Sequence, residues 1–318
     1  MKQLNVFPLD SNFDFLRLRK LAFAVVIAML VTAFGAMIFK GFNFALDFTG
    51  GTLTELRFEQ PVDVDGVRER LEAAGYENAQ VQTFGSGNDL LIKMQVDSGV
   101  ADKAGASSSV AADVNRAAST PGNQGTVVKS AFVGPQVGKD LAINGIWAFI
   151  FVIVGFLIYI SFRFEKKFAI AAVITTMNDI IVVSGWFALT GREFDLTVLA
   201  GVLSVMGYSI NDTIVVFDRV RENFRSMRAD PKTILNKSIN QTLSRTVITS
   251  FVALLTVVAL YIYGGGSLEG MAEAQIVGIV VGTVSTMFIA CPLLLWLGVS
   301  KQDLLPKAKD EAALARRP

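Results

Sequence analysis

Apolar residues do not alternate with polar ones through most of this chain; they run together. Six stretches, 21–39, 141–162, 168–189, 196–217, 246–263 and 274–298, read as membrane-crossing helices, since a hydrocarbon layer of ~30 Å takes about 20 helical residues. The first follows Arg17, Arg19 and Lys20 and has no small-residue cleavage site, which predicts a retained span in place of a removed signal peptide. The segment 40–140 has a different rhythm. Thr52–Glu59 alternates as a strand does, and Val62–Gly75 has helical spacing and ends on glycine. Ala79–Phe84 and Asp89–Val96 read as strands joined at Gly85-Ser86-Gly87-Asn88. Residues 98–124 are small and polar, with room for a second helix, and Thr126–Val133 is the last strand. The order β-α-β-β-α-β predicts a ferredoxin-like unit. The expected fold class is an α-helical integral membrane protein of six transmembrane helices, with an α+β ferredoxin-like periplasmic domain inserted between the first and second.

Charge sets the expected orientation. Residues 1–20, 163–167, 218–245 and 300–318 carry 4, 3, 7 and 5 Lys or Arg, whereas the short loops on the other side hold only Arg192. Short loops decide topology, because long domains cross largely regardless of charge. The expected layout is a cytoplasmic segment 1–20, the span 21–39, a periplasmic domain 40–140, five spans over 141–298 with a cytoplasmic loop 218–245, and a cytoplasmic tail 299–318. Over the whole chain 29 basic and 28 acidic residues nearly cancel, and the 40–140 domain has nine basic against thirteen acidic. Nucleic acid is therefore not an expected partner. With 52% hydrophobic and 18% charged residues, the chain is too apolar for one soluble core. It has no histidine, and its one cysteine, Cys291, lies in an apolar run. His-based catalysis, His- or thiolate-ligated metals and disulfides are all excluded on that ground.

Few ionisable groups lie within the spans: Asp179 in the third, Asp212 in the fourth, and Arg245 at the start of the fifth. A charge deep in a membrane costs at least ~2.5 kcal/mol, so each is expected to face the bundle interior or water. Gly201, Ser204, Tyr208, Asn211 and Asp218 fall on nearly one stripe of the fourth span, with Asp212 beside it, and Thr242, Arg245, Thr249 and Thr256 share a face of the fifth. Such stripes either line a hydrated path or hydrogen-bond between helices. Without histidine, a proton carrier here must be a carboxylate. Burial and a neighbouring arginine push a carboxyl group's proton affinity in opposite directions. An aspartate whose arginine moves between two positions therefore gains and loses a proton. Gly278-x-x-x-Gly282, followed by Ser285, predicts close helix packing. Gly134–Asp140 has neither the spacing nor the Ser/Thr of a phosphate loop. Asp212 also lacks the Gly-x-Gly-Asp turn of intramembrane aspartyl proteases. No enzyme activity is expected.

Four ordered motifs give the chain a family resemblance from about Phe15 to Leu297. They are Leu46-Asp47-Phe48-Thr49-Gly50-Gly51; Val133-Gly134-Pro135-Gln136-Val137-Gly138; the run from Gly207 through Asn211, Asp212 and Asp218 to Arg219; and Ser238–Thr246, which contains Arg245. The chain resembles the SecF family, the smaller membrane subunits of bacterial SecDF export complexes within the resistance-nodulation-division superfamily. The resemblance implies a heterodimer with SecD in the inner membrane, and use of the proton motive force to assist secretory polypeptides through SecYEG, with YajC and YidC as further partners. It implies protons as the coupling ion and no other cofactor. It places Asp212 and Arg245 in proton passage, with Asn211 and Asp179 as further candidates. Asp47, Gly50, Gly51, Gly134, Pro135, Gly207, Asp218, Arg219, Gly278 and Gly282 are the corresponding motif positions. Two departures stand out: Asn178 precedes Asp179 where the family commonly has histidine, and Glu273 and Gln275 open the last span where apolar residues are usual. The alternative is a stand-alone proton-coupled transporter of a small molecule, against which stands the lack of an internal repeat.

Overall fold

The structure, a computed structural model, describes residues 12–76, 79–84, 88–94 and 106–304. The predicted turn at Gly85-Ser86-Gly87, the first part of the 98–124 segment, the beginning of the 1–20 segment and residues 305–318 of the tail lie outside the described residues. The chain divides into two compact units, residues 1–43 with 149–318, and residues 44–148.

Six helices are long and apolar enough to cross a membrane: Phe15–Lys40, Gln136–Arg163, Lys166–Thr190, Leu196–Ser226, Pro231–Tyr263 and Leu268–Trp296. The third and sixth are the most enclosed, and the first, second and fifth are the most exposed. Small residues allow the close approaches. Gly185 of the third span lies against Ala33 of the first, and Gly201 of the fourth against Met271 and Ala274 of the sixth. At one end of the bundle the rings of Phe164, Phe168 and Phe217 pack together, with Phe168 and Phe217 centroids 5.4 Å apart.

The helices outrun their apolar stretches. Of the predicted loop 218–245, only residues 227–230 are not helical. Residues beyond the hydrocarbon give no apolar signal, yet they hold helix by local pairs such as Arg219–Glu222 at 2.9 Å. Asp230 caps the next helix by accepting from the Thr233 N–H at 3.1 Å, with Pro231 in the first turn. Those bonds from Thr233 hold the Asp230 carboxyl below its ordinary range. The preceding chain is clamped on this helix: Asn240 accepts from Phe13 N–H and donates to Phe13 O, both at 2.9 Å, and Asn236 accepts from Phe15 N–H at 2.8 Å. In the sixth span Pro292 cannot donate to the helix ladder, and a π-helical turn at Thr286–Ala290 precedes it.

The second unit contains a four-stranded antiparallel sheet. Its strands are β1 (Gly51–Arg57), β2 (Gln80–Phe84), β3 (Asp89–Met94) and β4 (Thr126–Val133), in the spatial order β2-β3-β1-β4. Thr54 pairs with Ile92 on one side and Ser130 on the other, and a bulge falls between Glu55 and Leu56. Alternation sends Thr52, Thr54 and Leu56 inward and leaves Arg57 outside. Helices α1 (Val64–Ala73) and α2 (Ala106–Ala118) contribute Val67, Leu71, Val114 and Ala118 to the same core as Leu56, Leu90 and Ile92. The sequence-level order of elements is therefore the observed one, with α2 inside the small-residue segment.

The two glycine motifs of this unit meet. Asp47 lies in the short helix Leu46–Thr49, which ends on Gly50 at φ +70° and Gly51 at φ +133°. Both conformations suit only glycine. A Cβ on Gly51 would overlap Met94 O, and one on Gly138 would stand 2.8 Å from Gly50 N. The Gly134-Pro135 turn starts a helix, with Gly138 N–H donating to Gly134 O at 3.0 Å.

Candidate functional site

Two buried aspartates sit in the bundle under different conditions. Asp179 of the third span is fully buried. Its Oδ2 accepts from Ser209 Oγ of the fourth span at 2.5 Å and from Ser285 Oγ of the sixth at 2.8 Å, and its Oδ1 accepts from Asn178 Nδ2 at 3.1 Å. Gly282 of the sixth span lies beside this arrangement, where a Cβ would make ordinary contact with Ser209 and, at 3.6 Å, with Asp179 Oδ2. One carboxylate thus joins three spans, and its acceptor capacity is well used.

Asp212 is only 3% exposed, and its Oδ2 is buried with no hydrogen-bond partner among the described residues. The polar groups acting on it are the Ser250 hydroxyl and the Arg245 guanidinium, both on the fifth span. No nitrogen of Arg245 lies within ion-pair distance of it among the described residues. Arg245 itself is exposed, as are Asn211, Gly207 and Ser204 of the fourth span and Thr249 and Thr256 of the fifth. The stripes read from the sequence therefore run along the outside of this subunit. Of their members only Gly201, Thr242 and Asp212 are buried, with Tyr208 and Asp218 between the two classes. Thr249 and Thr256 each donate to a carbonyl of their own helix at 3.0 Å.

Of the residues that bridge spans here, only Tyr208 belongs to those stripes; Ser250, Thr283, Thr213 and Thr286 lie outside them. Ser250, one position beyond Thr249, receives Tyr208 Oη from the fourth span at 2.8 Å and lies 2.7 Å from Thr283 Oγ1 of the sixth. Thr213 and Thr286 hydroxyls lie 3.4 Å apart across the fourth and sixth spans. Their partners are 30 or more positions away, so no local pattern reveals them.

Asp218 and Arg219 lie toward the end of the fourth span and face different partners. Asp218 pairs with Arg163 at 2.5 Å and with Arg221 at 3.5 Å, and Arg221 also holds Glu165 at 2.9 Å. Among the described residues Arg219 pairs along its own helix, with Glu222. Gly278 presses against Val205 of the fourth span, where a Cβ would overlap the valine side chain. The unusual polar start of the sixth span also has a cause. Glu273 is buried, accepts from Trp186 Nε1 at 2.8 Å and pairs with Arg192 Nε at 3.1 Å, while Arg192 Nη1 reaches Glu269 at 3.0 Å. Gln275 Nε2 donates to Ser204 Oγ at 3.3 Å.

The contrast between the aspartates yields an expected result. Asp179→Asn keeps an acceptor for both serines and, once the Asn178 amide turns over, can donate to Asn178 Oδ1, which has no partner among the described residues. Its thermal midpoint in detergent should stay close to that of the unaltered protein. Asp179→Leu strands two serine hydroxyls, at about 0.6 to 1.7 kcal/mol for each interhelical bond, and should lower the midpoint by several degrees. Equal midpoints for the two variants would show that the serines do not anchor the spans.

Comparison with known proteins decides the family. Residues 114–300 match the family described as "Protein export membrane protein SecD/SecF, C-terminal", and residues 35–62 match the "SecD/SecF GG Motif". A "Protein translocase subunit SecF" of Pseudomonas aeruginosa is 45% identical over 302 residues, covering 94% of this chain and 96% of the relative. The chain belongs to the SecF family. The SecF of Escherichia coli O157:H7 is 40% identical, covering 95% of this chain and 93% of the relative. Among solved structures, the SecDF of Thermus thermophilus, described as a translocon-associated membrane protein, superimposes with a TM-score of 0.81 at 35% identity. That match covers 92% of this chain but 40% of the SecDF chain. This SecF-family chain is a multi-pass membrane protein with a role in protein export. The segment around Gly50 and Gly51 falls in the GG motif, and Asp179, Asp212, Arg245 and Ser250 all fall within the C-terminal family region.

Proposed function

We propose that this SecF-family chain is the subunit through which the proton motive force assists export, acting with a SecD partner on secretory polypeptides passing through SecYEG, with YajC and YidC in the same assembly. Protons are its coupling ion. Asp212 is the acid that takes and releases them, and Arg245 is the cation that moves relative to it. The observation that carries this is the difference between the two buried aspartates: Asp179 is held by three hydrogen bonds, whereas one oxygen of Asp212 has no partner among the described residues. A purely structural acid gains from being satisfied, and leaving a buried acceptor open costs ~1–3 kcal/mol. Asp179 is then an anchor, and Asp212 is free to change state.

The partner is supported by what this subunit leaves uncovered. Ser204, Asn211 and Arg245 are exposed within apolar helices, and such groups do not face lipid. A SecD-like helix pair covering them would bring Arg245 and Asp212 into an enclosed site. The match to 40% of a SecDF chain supports a second, larger half. The driving force is adequate, since one charge crossing ~150 mV releases about 3–4 kcal/mol.

The basic loops support cytoplasmic termini in an inner membrane, and the sheet order β2-β3-β1-β4 with two helices in one core supports a ferredoxin-like domain on the outer side. Export into inverted membrane vesicles, with and without an uncoupler, tests the function. Vesicles lacking this chain should lose the uncoupler-sensitive part of export, and restoring it should require the chain and its SecD partner together. Reporter fusions at Ser300 should report cytoplasm, and fusions near Ser108 the outer side. Unchanged uncoupler sensitivity without the chain, or an outward Ser300, would overturn the respective parts.

A further inference from the structure

We propose that the cavity between the ends of the second and fourth spans is a binding site for one anionic phospholipid. Arg163, Arg221 and Arg225 hold its phosphate, and an acyl chain lies along the second span past Tyr159 and Gly155. The proposal stands apart from the coupling role of Asp212. It gives a use to an arginine cluster of which the sequence motifs account for only Asp218 and Arg219.

The cavity has a volume of about 490 Å³ and is lined by Arg163 of the second span and by Asp218, Arg221, Glu222, Arg225 and Ser226 of the fourth. Its charges do not cancel. Arg163 and Arg221 share Asp218, at 2.5 and 3.5 Å, and Arg221 also holds Glu165 at 2.9 Å. Both guanidiniums stand over the ring of Phe164, 5.0 and 5.6 Å from its centroid, so two cations are gathered on one small area. Glu222 is taken by Arg219 at 2.9 Å. Arg225, one turn beyond Arg221, is exposed and has no acidic partner among the described residues. Arg163, Arg219, Arg221 and Arg225 thus answer Glu165, Asp218 and Glu222 with one positive charge left over. A phosphodiester carries one negative charge, and two N–H groups of a guanidinium match two of its oxygens.

The surroundings select a lipid over a soluble phosphate. Arg163 is the last residue of a helix whose apolar length is among the most exposed of the six. Tyr159 and Gly155 lie four and eight positions before it, on the same face of that helix. Tyr159 is 50% exposed, and a Cβ on Gly155 would meet nothing within 4 Å. A strip of open apolar surface therefore starts directly beneath the guanidinium. A phosphate bound by Arg163 sits where a phospholipid places its own, at the boundary of the hydrocarbon, and basic pockets between helices at that boundary recognise anionic headgroups. A soluble phosphate would gain from the arginines and nothing from the strip.

The test uses the complex with its SecD partner in detergent, supplied with phosphatidylglycerol or phosphatidylcholine, and counts bound lipids by native mass spectrometry. The unaltered complex should retain a phosphatidylglycerol that phosphatidylcholine does not replace. Arg225→Gln, an exposed position with no ion pair to break among the described residues, should weaken that retention about fivefold, the effect of one basic group near a membrane surface. Arg225→Lys should keep most of it. Gly155→Leu should also weaken retention, by filling the strip without changing any charge, and glycerol phosphate should compete poorly. Equal retention of the two lipids overturns the proposal, as does phosphatidylglycerol held by Arg225→Gln as firmly as by the unaltered complex. Full retention by Gly155→Leu, or displacement by glycerol phosphate at the concentration of the lipid, overturns it too, because the ligand would then be a headgroup anion alone.

Discussion

Asp212→Asn is expected to reach normal membrane levels and bind its partner, yet to lose the uncoupler-sensitive part of export. The substitution keeps the side-chain volume in a buried site. Its structural cost is limited to the hydrogen bonding of one group, ~1 kcal/mol, and Asp212 Oδ2 has no partner among the described residues to lose. What disappears is the ability to alternate between a charged and a neutral form. Arg245→Met should produce a similar defect by a different route. It removes the cation acting on the carboxyl without altering the core, because Arg245 is exposed. Asp179→Asn serves as the internal comparison and should retain most of the gradient-dependent export. The measurement is export into inverted vesicles for each variant, with and without uncoupler. Asp212→Asn vesicles that respond to the gradient by the full margin would show that another group couples.

The second large effect concerns assembly of the bundle. Gly278→Ala should sharply reduce the folded subunit in membranes. An ideal Cβ at Gly278 overlaps both Cγ atoms of Val205 and stands 2.9 Å from its Cβ, on the most closely packed pair of spans. Overpacking of this kind costs ~1–3 kcal/mol, and no flexible side-chain end is available to yield, since valine is stiff. Val205→Ala removes the two overlapping methyl groups. The double variant Val205→Ala with Gly278→Ala should therefore recover much of the folded protein, with a coupling between the sites that a double-mutant cycle reads directly. Additive losses would mean that the fourth and sixth spans do not meet at this point.

How much of this was legible before the structure depends on the kind of signal each feature leaves. The six spans were readable because crossing a membrane demands long apolar runs, and the strands of the inserted domain because alternation is visible in stretches such as Thr52–Arg57. The helical continuation through 218–226 and 231–245 was not, since helix outside the hydrocarbon needs no apolar run. Asp212 and Arg245 could be selected because charge is rare in such segments. Their surroundings could not. A polar stripe such as Ser204, Tyr208 and Asn211 reveals spacing along the fourth span but not whether it meets a neighbouring helix of the same chain or points away from the bundle. The structure turns Asn211 and Arg245 outward and puts Ser250 inward. Asp179 illustrates the same limit from the other direction. Its position in the span was clear, but its two serine partners lie 30 and 106 positions away.

Arg192 and Glu273 have a consequence for exchanging parts between relatives. The arginine sits in a short loop and the glutamate opens the last span, yet they are bound at 3.1 Å, with Trp186 donating to the same carboxylate. Grafting the sixth span of a relative that begins with apolar residues would take away both Glu269 and Glu273, the two carboxylates paired with Arg192. Grafting only the loop would leave a carboxylate enclosed without its cation, the costlier error, because a charge left unpaired inside a protein is far less tolerable than one left at its edge. The three positions form one bonded unit, and a hybrid bundle keeps its footing only when the loop, the end of the third span and the start of the sixth are moved together.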